Sequence, residues 1–162
     1  MGVYRCPQCL NECLFCQGCT VEHHEASPFH VVKKWNFQFF NQCSLQSLGL
    51  SIQLGHPLGV PCPNPTWAYE KGFTIITSHG IILTILHFCD CGLATLCPAQ
   101  LLQGHLFPAT TIDPHTAATF KVLWLFQLLT FGSKVSGFEF YTTLVCLTDN
   151  LGEPTPVSLY HN

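Results

Sequence analysis

The chain has 162 residues, 48% of them hydrophobic and only 9% charged, with a net charge of -3. That length suits one domain with a small appendage, and so much apolar side chain excludes bulk disorder. Against the roughly 25% charged residues of a typical soluble domain, the thin surface charge fits a piece of a larger assembly or a chain that needs a partner.

Residues 1–35 open with Cys6-x2-Cys9 and Cys16-x2-Cys19, followed by His24 and His30. A CxxC turn points two thiolates at one ion, and two such units complete a tetrahedron around structural Zn2+. Two ligand schemes fit the spacing. One zinc is held by Cys6, Cys9, Cys16 and Cys19, or a cross-braced two-zinc module uses four pairs, of which Cys6/Cys9, Cys16/Cys19 and His24/His30 are three and the fourth is expected upstream of Met1 in a longer protein. His24 is preferred to its neighbour His23, and Cys13 lies off the spacing. Redox chemistry would want a single CxxC beside a βαβ unit. The cysteines number eleven, an odd count that suits no secreted disulfide framework, and a CxxC stands where a signal peptide needs an apolar run. The expected compartment is therefore reducing and intracellular, where closely spaced cysteines ligate metal.

Val31 to Trp35 reads as a short strand, and Trp35, Phe37, Phe39 and Phe40 as an aromatic strand or loop. Ser44 caps a short helix that ends at Gly49, and Leu50, Ile52 and Leu54 alternate as a strand. Four prolines and a glycine make 57–65 a loop. Phe73 to Thr77 and Ile81 to Phe88 form a β-hairpin around Ser78-His79-Gly80. It ends at Cys89-x-Cys91, and with His56 and Cys62 upstream these residues make a second four-ligand set that staples a loop to a strand end. His87, two residues before Cys89 on the same strand face, is an alternative to His56. Cys43, Cys97 and Cys146 read as core filling.

Gln100 to Leu102 is a brief helix or strand, and Phe107 to Thr110 is extended. A helix is expected over about 114–129, capped by Asp113 or Thr111 and broken at Gly132. A second opens at Ser133 and runs to about Leu147. The two form an αα-hairpin and the expected hydrophobic core. The fold class is α+β: a zinc-stabilised, B-box-like or ZZ-like N-terminal knuckle over 1–35, a remainder over 36–150 with the hairpin, the second metal set and the helices, and a tail over 151–162. The longest apolar runs, 80–86 and 122–129, fall short of the ~20 residues of a membrane span. Glycine-rich phosphate loops, H-E-x-x-H and G-x-S-x-G are all missing, so no enzyme is indicated. The six cations, Arg5, Lys33, Lys34, Lys71, Lys121 and Lys134, are scattered, which weighs against a broad nucleic-acid patch.

The run Tyr4-Arg5-Cys6, Cys9, Cys16, Cys19, His24, Pro28-Phe29-His30 and Trp35-Asn36 resembles the start of the CxC2-like cysteine cluster associated with KDZ transposases of fungi. Leu48-Gly49-Leu50, Gln53-Leu54-Gly55-His56, Cys62, Gly80-Ile81, Phe88-Cys89-Asp90-Cys91, Gln100-Leu101-Leu102, Phe107-Pro108-Ala109-Thr110 and Thr148-Asp149-Asn150 continue the likeness in the same order. The resemblance implies a nuclear, zinc-binding accessory domain that sits before an acidic-triad transposase core, and the core itself is not in this chain. The implied partners are DNA, that core or another protein. Two other readings stand beside it: a zinc-stabilised protein-interaction module, and a non-functional fragment of a mobile element.

Overall fold

The computed structural model describes residues 2–10, 13–70, 72–92 and 95–149, with nothing said of the Asp149 side chain. The expected tail over 151–162 lies outside them. Two sheets organise the chain. The first joins β1 (Tyr4–Arg5), β2 (Val32–Trp35) and β3 (Phe40–Cys43) in antiparallel order, with α1 (Gln17–His24) inserted between β1 and β2. The strand expected at Val31 to Trp35 is β2. The aromatic stretch after it turns instead of continuing. Asn36 Oδ1 accepts from the Gln38 and Phe39 amides at 2.9 and 2.8 Å, so Phe37 and Phe39 sit exposed at a bend.

A single turn of 3-10 helix (Gln46–Leu48) follows, started by Ser44, whose Oγ accepts from the Ser47 amide, and ended by Gly49 in the left-handed conformation. Leu45, Leu48 and Leu50 there are buried against Tyr4, Cys6 and Val32. Val3, Val21 and Cys43 pack around this small cluster, the apolar core of the first region among the described residues.

The second sheet is mixed. Its path runs from β4 (Ser51–Gln53) to β7 (Gly80–Cys89), β6 (Phe73–Thr77), β9 (Thr116–Thr119) and β8 (Leu106–Pro108), with β5 (Pro65–Trp67) also paired to β7. The β6–β7 hairpin forms as expected, with Thr77 opposite Gly80 across Ser78-His79. β4 runs parallel to β7, with Gln53 opposite His87. β5 runs antiparallel, with Pro65 opposite Cys89. The 10-residue β7 therefore carries the loop ends of both neighbours to its C-terminal tip.

The core lies under this sheet and not between the last two helices as expected. Phe73, Ile75, Leu86, Phe88, Leu101, Leu106 and Ala117 form it, and Leu101 belongs to α2 (Cys97–Gln103), the brief element expected near Gln100. Phe29 from the first region packs against the same cluster. The expected helix over 114–129 is displaced. Thr116–Thr119 is a strand hydrogen-bonded to β6 and β8, because its backbone completes a ladder that propensity alone does not reveal. Helix α3 (Phe120–Ser133) begins only afterwards, capped by Thr119 Oγ1 and not by Asp113 or Thr111, and it passes through Gly132.

Helix α4 (Gly137–Asp149) starts after Ser136, not at Ser133. Ser136 and Glu139 form a reciprocal capping box: the Ser136 amide donates to the Glu139 carboxylate at 2.9 Å, and the Glu139 amide donates to Ser136 Oγ at 3.2 Å. This pairing holds the Glu139 carboxyl below the usual range. Helix α4 docks on β7 where Thr148 Oγ1 accepts from the Ile81 amide at 2.8 Å, with Leu144 buried against Ile81 and Val122. Much of α3 stays uncovered, including Trp124, Leu128 and Phe131. No helix among the described residues is long and apolar enough to cross a membrane.

Candidate metal centres

Two groups of four donors converge. In each, all donor atoms lie within 4.8 Å of one another. The first is Cys6, Cys9, His24 and His30; the second is His56, Cys62, Cys89 and Cys91.

In the first, Cys6 and Cys9 come from the turn after β1, His24 from the last turn of α1 and His30 from the loop before β2. Helix α1 buries one short face, Thr20 and His24, four residues apart. Thr20 Oγ1 donates to the Cys16 carbonyl, and the Thr20 carbonyl accepts from His24 Nδ1 at 2.7 Å. That bond fixes the tautomer and leaves Nε2 as the free donor pair, the usual support for a ligating imidazole. His24 Nε2 is 3.5 Å from Cys9 Sγ; His30 Nδ1 is 3.5 Å from Cys6 Sγ and 3.6 Å from Cys9 Sγ. Burial, then the neighbouring His24, lowers the His30 pKa and favours the neutral ring that a metal needs. Burial also pushes the Cys6 thiol up. Gln8 Oε1 accepts from the Val31 amide at 2.6 Å and ties the CxxC turn to the loop that carries His30.

The second group sits at the tip of β7. Cys89 ends that strand, Cys91 follows it, and His56 and Cys62 come from the proline-rich loop between β4 and β5. His56 Nε2 lies 3.3 Å from Cys89 Sγ and 3.8 Å from Cys91 Sγ, and Cys62 Sγ lies 3.8 Å from Cys91 Sγ. The Cys91 amide donates to Cys89 Sγ at 3.4 Å, which lowers the Cys89 thiol to about 7. The shared proton then raises Cys91 to about 11, with Cys89 as the main cause. Two thiols in such contact titrate as a pair.

The chemistry of these sets fits zinc. With Zn–S near 2.3 Å and Zn–N of about 2.0–2.1 Å, a tetrahedron has S–S edges of about 3.8 Å and S–N edges of about 3.6 Å. The Cys6–His30, Cys9–His24 and Cys9–His30 separations of 3.5, 3.5 and 3.6 Å and the Cys62–Cys91 separation of 3.8 Å match those edges, while His56 stands at 3.3 and 3.8 Å from its two sulfurs, on either side of 3.6 Å. A Cys2His2 set and a Cys3His set, each with four protein donors, are donor sets of closed structural zinc sites.

Eight of the ten residues singled out from the sequence are therefore gathered in two groups. Cys16 and Cys19 join neither: they sit exposed at the N-cap and first turn of α1, at the far end of the helix from His24. The structure chooses His56 over His87, whose ring lies edge-on to Trp67 at 5.1 Å. Cys97 and Cys146 are exposed and Cys43 is half-buried, so the expected core-filling role fails for the first two. Both stand on helices, Cys97 at the start of α2 and Cys146 on α4, where the face turned to solvent overrides the general preference of a free thiol for burial.

Sequence reasoning missed two supports of the second group. Gln100 is buried on α2; its Oε1 accepts from the Cys89 amide at 2.8 Å, and its Nε2 donates to the Cys89 and Thr95 carbonyls at 2.9 and 2.8 Å. Gly55 is left-handed, and a Cβ there would stand 2.6 Å from Cys89 Cβ, so the chain can approach Cys89 only as glycine. Gly55 beside His56 is a legible signal; Gln100, eleven residues beyond Cys89, is not.

Residues 45–152 match the model of the family described as CxC2 like cysteine cluster associated with KDZ transposases. The matched stretch holds the whole second group, and the first lies before it. No curated protein and no solved structure matches the chain.

Proposed function

Since the chain belongs to the CxC2-like cysteine cluster family associated with KDZ transposases, we propose that it is a zinc-stapled, non-catalytic accessory domain of a KDZ-type transposase, working in the nucleus beside the catalytic core. The observation that carries this is the convergence of two sets of four donors, each with all donor atoms within 4.8 Å of one another. Four protein donors around each position leave no open site for substrate, which is the mark of a structural metal. In this reading the chain has two parts, 1–35 as a B-box-like or ZZ-like knuckle and 36–150 as the remainder, with β3 and Leu45 to Leu50 of the second part covering the first.

Protein contact is favoured over DNA contact by the surface. Trp124, Leu128 and Phe131 are exposed along α3, and exposed apolar patches mark protein-binding faces. Two of the cations are engaged within the first sheet: the Arg5 guanidinium lies 4.0 Å over the Phe40 ring, and Lys34 Nζ lies 5.7 Å from that of Tyr4. Phosphate contact needs clustered, available cations.

The test is metal content by elemental analysis of the reduced chain, circular dichroism before and after chelation, and titration with random duplex DNA at two salt concentrations. Two zinc ions per chain with structure lost on chelation support the staple reading. Fewer than one zinc, with dichroism unmoved by chelation, overturns it. Salt-dependent DNA binding would shift the contact from protein to DNA.

A further inference from the structure

We propose that the cleft between the loop 26–30, the β6–β7 turn and the start of α3 binds a small phosphate monoester, its phosphate held by His79, His105 and Lys121 and its organic body by Phe29 and Phe120. The cleft has a volume of about 510 Å3, within the ~300–1,000 Å3 of small-molecule sites. Its lining includes Lys121 and three histidines, His30, His79 and His105, and no carboxylate. The chain carries nine Asp and Glu against six Lys and Arg, so a concave surface with cationic and N–H donor groups unopposed by acid stands apart from the rest. Such a surface favours an anion.

Local structure sets these side chains in place. His79 sits in the two-residue hairpin turn, where its amide donates to Thr77 Oγ1 at 3.1 Å and Ser78 Oγ stands 2.9 Å from its Nδ1. A hydroxyl donating to Nδ1 keeps the ring proton on Nε2, as a donor. His105 follows α2 with a left-handed backbone, φ 58°, at a position where glycine is usual. Its carbonyl accepts from the Phe120 amide at 3.0 Å, which ties it to the first residue of α3. Lys121 is the next residue and is exposed. Burial and then Lys121 lower the His79 pKa; after burial and His24, His79 and Lys121 lower that of His30. These groups are therefore within electrostatic reach of one another, and a bound phosphate relieves their repulsion.

His30 adds a further donor. Its Nδ1 lies 3.5 and 3.6 Å from the Cys6 and Cys9 sulfurs, which leaves Nε2 for another partner. Metal-binding imidazoles give that second N–H to an acceptor, as His24 does to the Thr20 carbonyl. A phosphate oxygen in the cleft supplies the acceptor for His30. This one contact rests on the structural-zinc reading above, and the other three do not. A duplex backbone is met by a row of cations, whereas one lysine lines this cleft. Phe120 is 41% exposed, and Phe29 reaches from the loop to the core of the second sheet. Apolar surface thus adjoins the donors, which suits a monoester with an apolar group over a bare ion.

The test follows the histidine ring resonances of the full reduced, zinc-loaded chain by NMR during titration with phenyl phosphate, inorganic phosphate and phenol. Phenyl phosphate should shift His79 and His105 saturably, inorganic phosphate should bind more weakly, and phenol should not bind. Lys121→Gln and His79→Gln should each weaken phenyl phosphate about tenfold, the loss of a hydrogen bond to a charged group, with circular dichroism and zinc content unchanged. No saturable shift at millimolar phenyl phosphate overturns the proposal, as does equal binding of phenol or inorganic phosphate, or unchanged affinity in both variants. Shifts of the same resonances by random duplex DNA and not by phenyl phosphate would also overturn it, in favour of nucleic acid. A chain that binds phenyl phosphate but holds no zinc counts against the structural-zinc reading alone, and a zinc-loaded chain that does not bind counts against the cleft alone.

Discussion

The two metal centres rest on different foundations. Around the first, three short strands, one turn of 3-10 helix and the eight-residue α1 bury only a handful of apolar side chains. Three of its four donors come from turns and loops, and two of the four, Cys6 and His24, are themselves part of what is buried. Around the second, two donors stand at the tip of a ten-residue strand inside a larger sheet and two come from the loop beside it, above a core that includes Phe73, Ile75 and Leu101, all fully buried. The lesson is that the same chemistry serves two purposes. In the first region a bound metal would substitute for a core; in the second it would pin a proline-rich loop to a core that already exists.

The sharpest way to break this contrast is to remove one imidazole from each centre. His24→Ala should release the first ion and unfold the first region, since structural zinc contributes about 10–16 kcal/mol in small zinc-folded modules. Hydrogen exchange should then show β1, β2 and β3 unprotected while β6 and β7 stay protected. His56→Ala should release the second ion yet leave the β6–β7 hairpin protected, with added exchange confined to the loop between β4 and β5. Equal loss of protection across both sheets in either variant would refute the division.

Phe73→Ala supplies the converse. A cavity at this fully buried ring should cost about 3–5 kcal/mol, read as a lower denaturant midpoint for the second sheet. Zinc at the first centre should outlast that transition if the regions differ as described.

Gln100→Leu is a smaller and more local change. It leaves the Cys89 amide and carbonyl without their buried partners, at a cost of about 1–3 kcal/mol. Zinc affinity should fall at the second centre only, measured by competition with a chromophoric chelator.

The smallest expected effect is pH dependence of the sheet. Burial lowers the pKa of His79, at the hairpin turn, with Lys121 adding to the shift, and burial also lowers that of His87 on β7. A histidine whose folded pKa is depressed binds more protons when unfolded. Its contribution is therefore fully present above its unfolded value near ~6.5 and is lost as pH falls through the lower folded value. The urea midpoint of the second sheet should decline from pH 7 towards pH 5, and His87→Gln should flatten part of that slope.

Much of this was legible in the chain itself. Alternation marked β4, apolar runs beside turn residues marked β2 and the β6–β7 hairpin, Gly49 marked the end of the turn before β4, and both sets of donors stood out by residue type. The helix boundaries near residue 114 were not legible, because Thr116–Thr119 becomes a strand only when β6 and β8 offer it hydrogen-bond partners. The capping box at Ser136 and Glu139 was written in the sequence, but the apolar run before it has no polar face to mark where one helix stops.

The sequence by itself determined which residues can bind metal, because a CxxC turn brings two sulfurs together through local geometry alone. Only the tertiary structure decided which donors are brought together. Helix α1 rises about 1.5 Å per residue, so across its eight residues it carries His24 to Cys6 and Cys9 and leaves Cys16 and Cys19 at the opposite end. The parallel pairing of β4 with β7, followed by the left-handed turn at Gly55, brings His56 to Cys89, while His87 remains along the strand beside Trp67. Ligand identity is a property of side chains; ligand partnership depends on the path of the backbone between them.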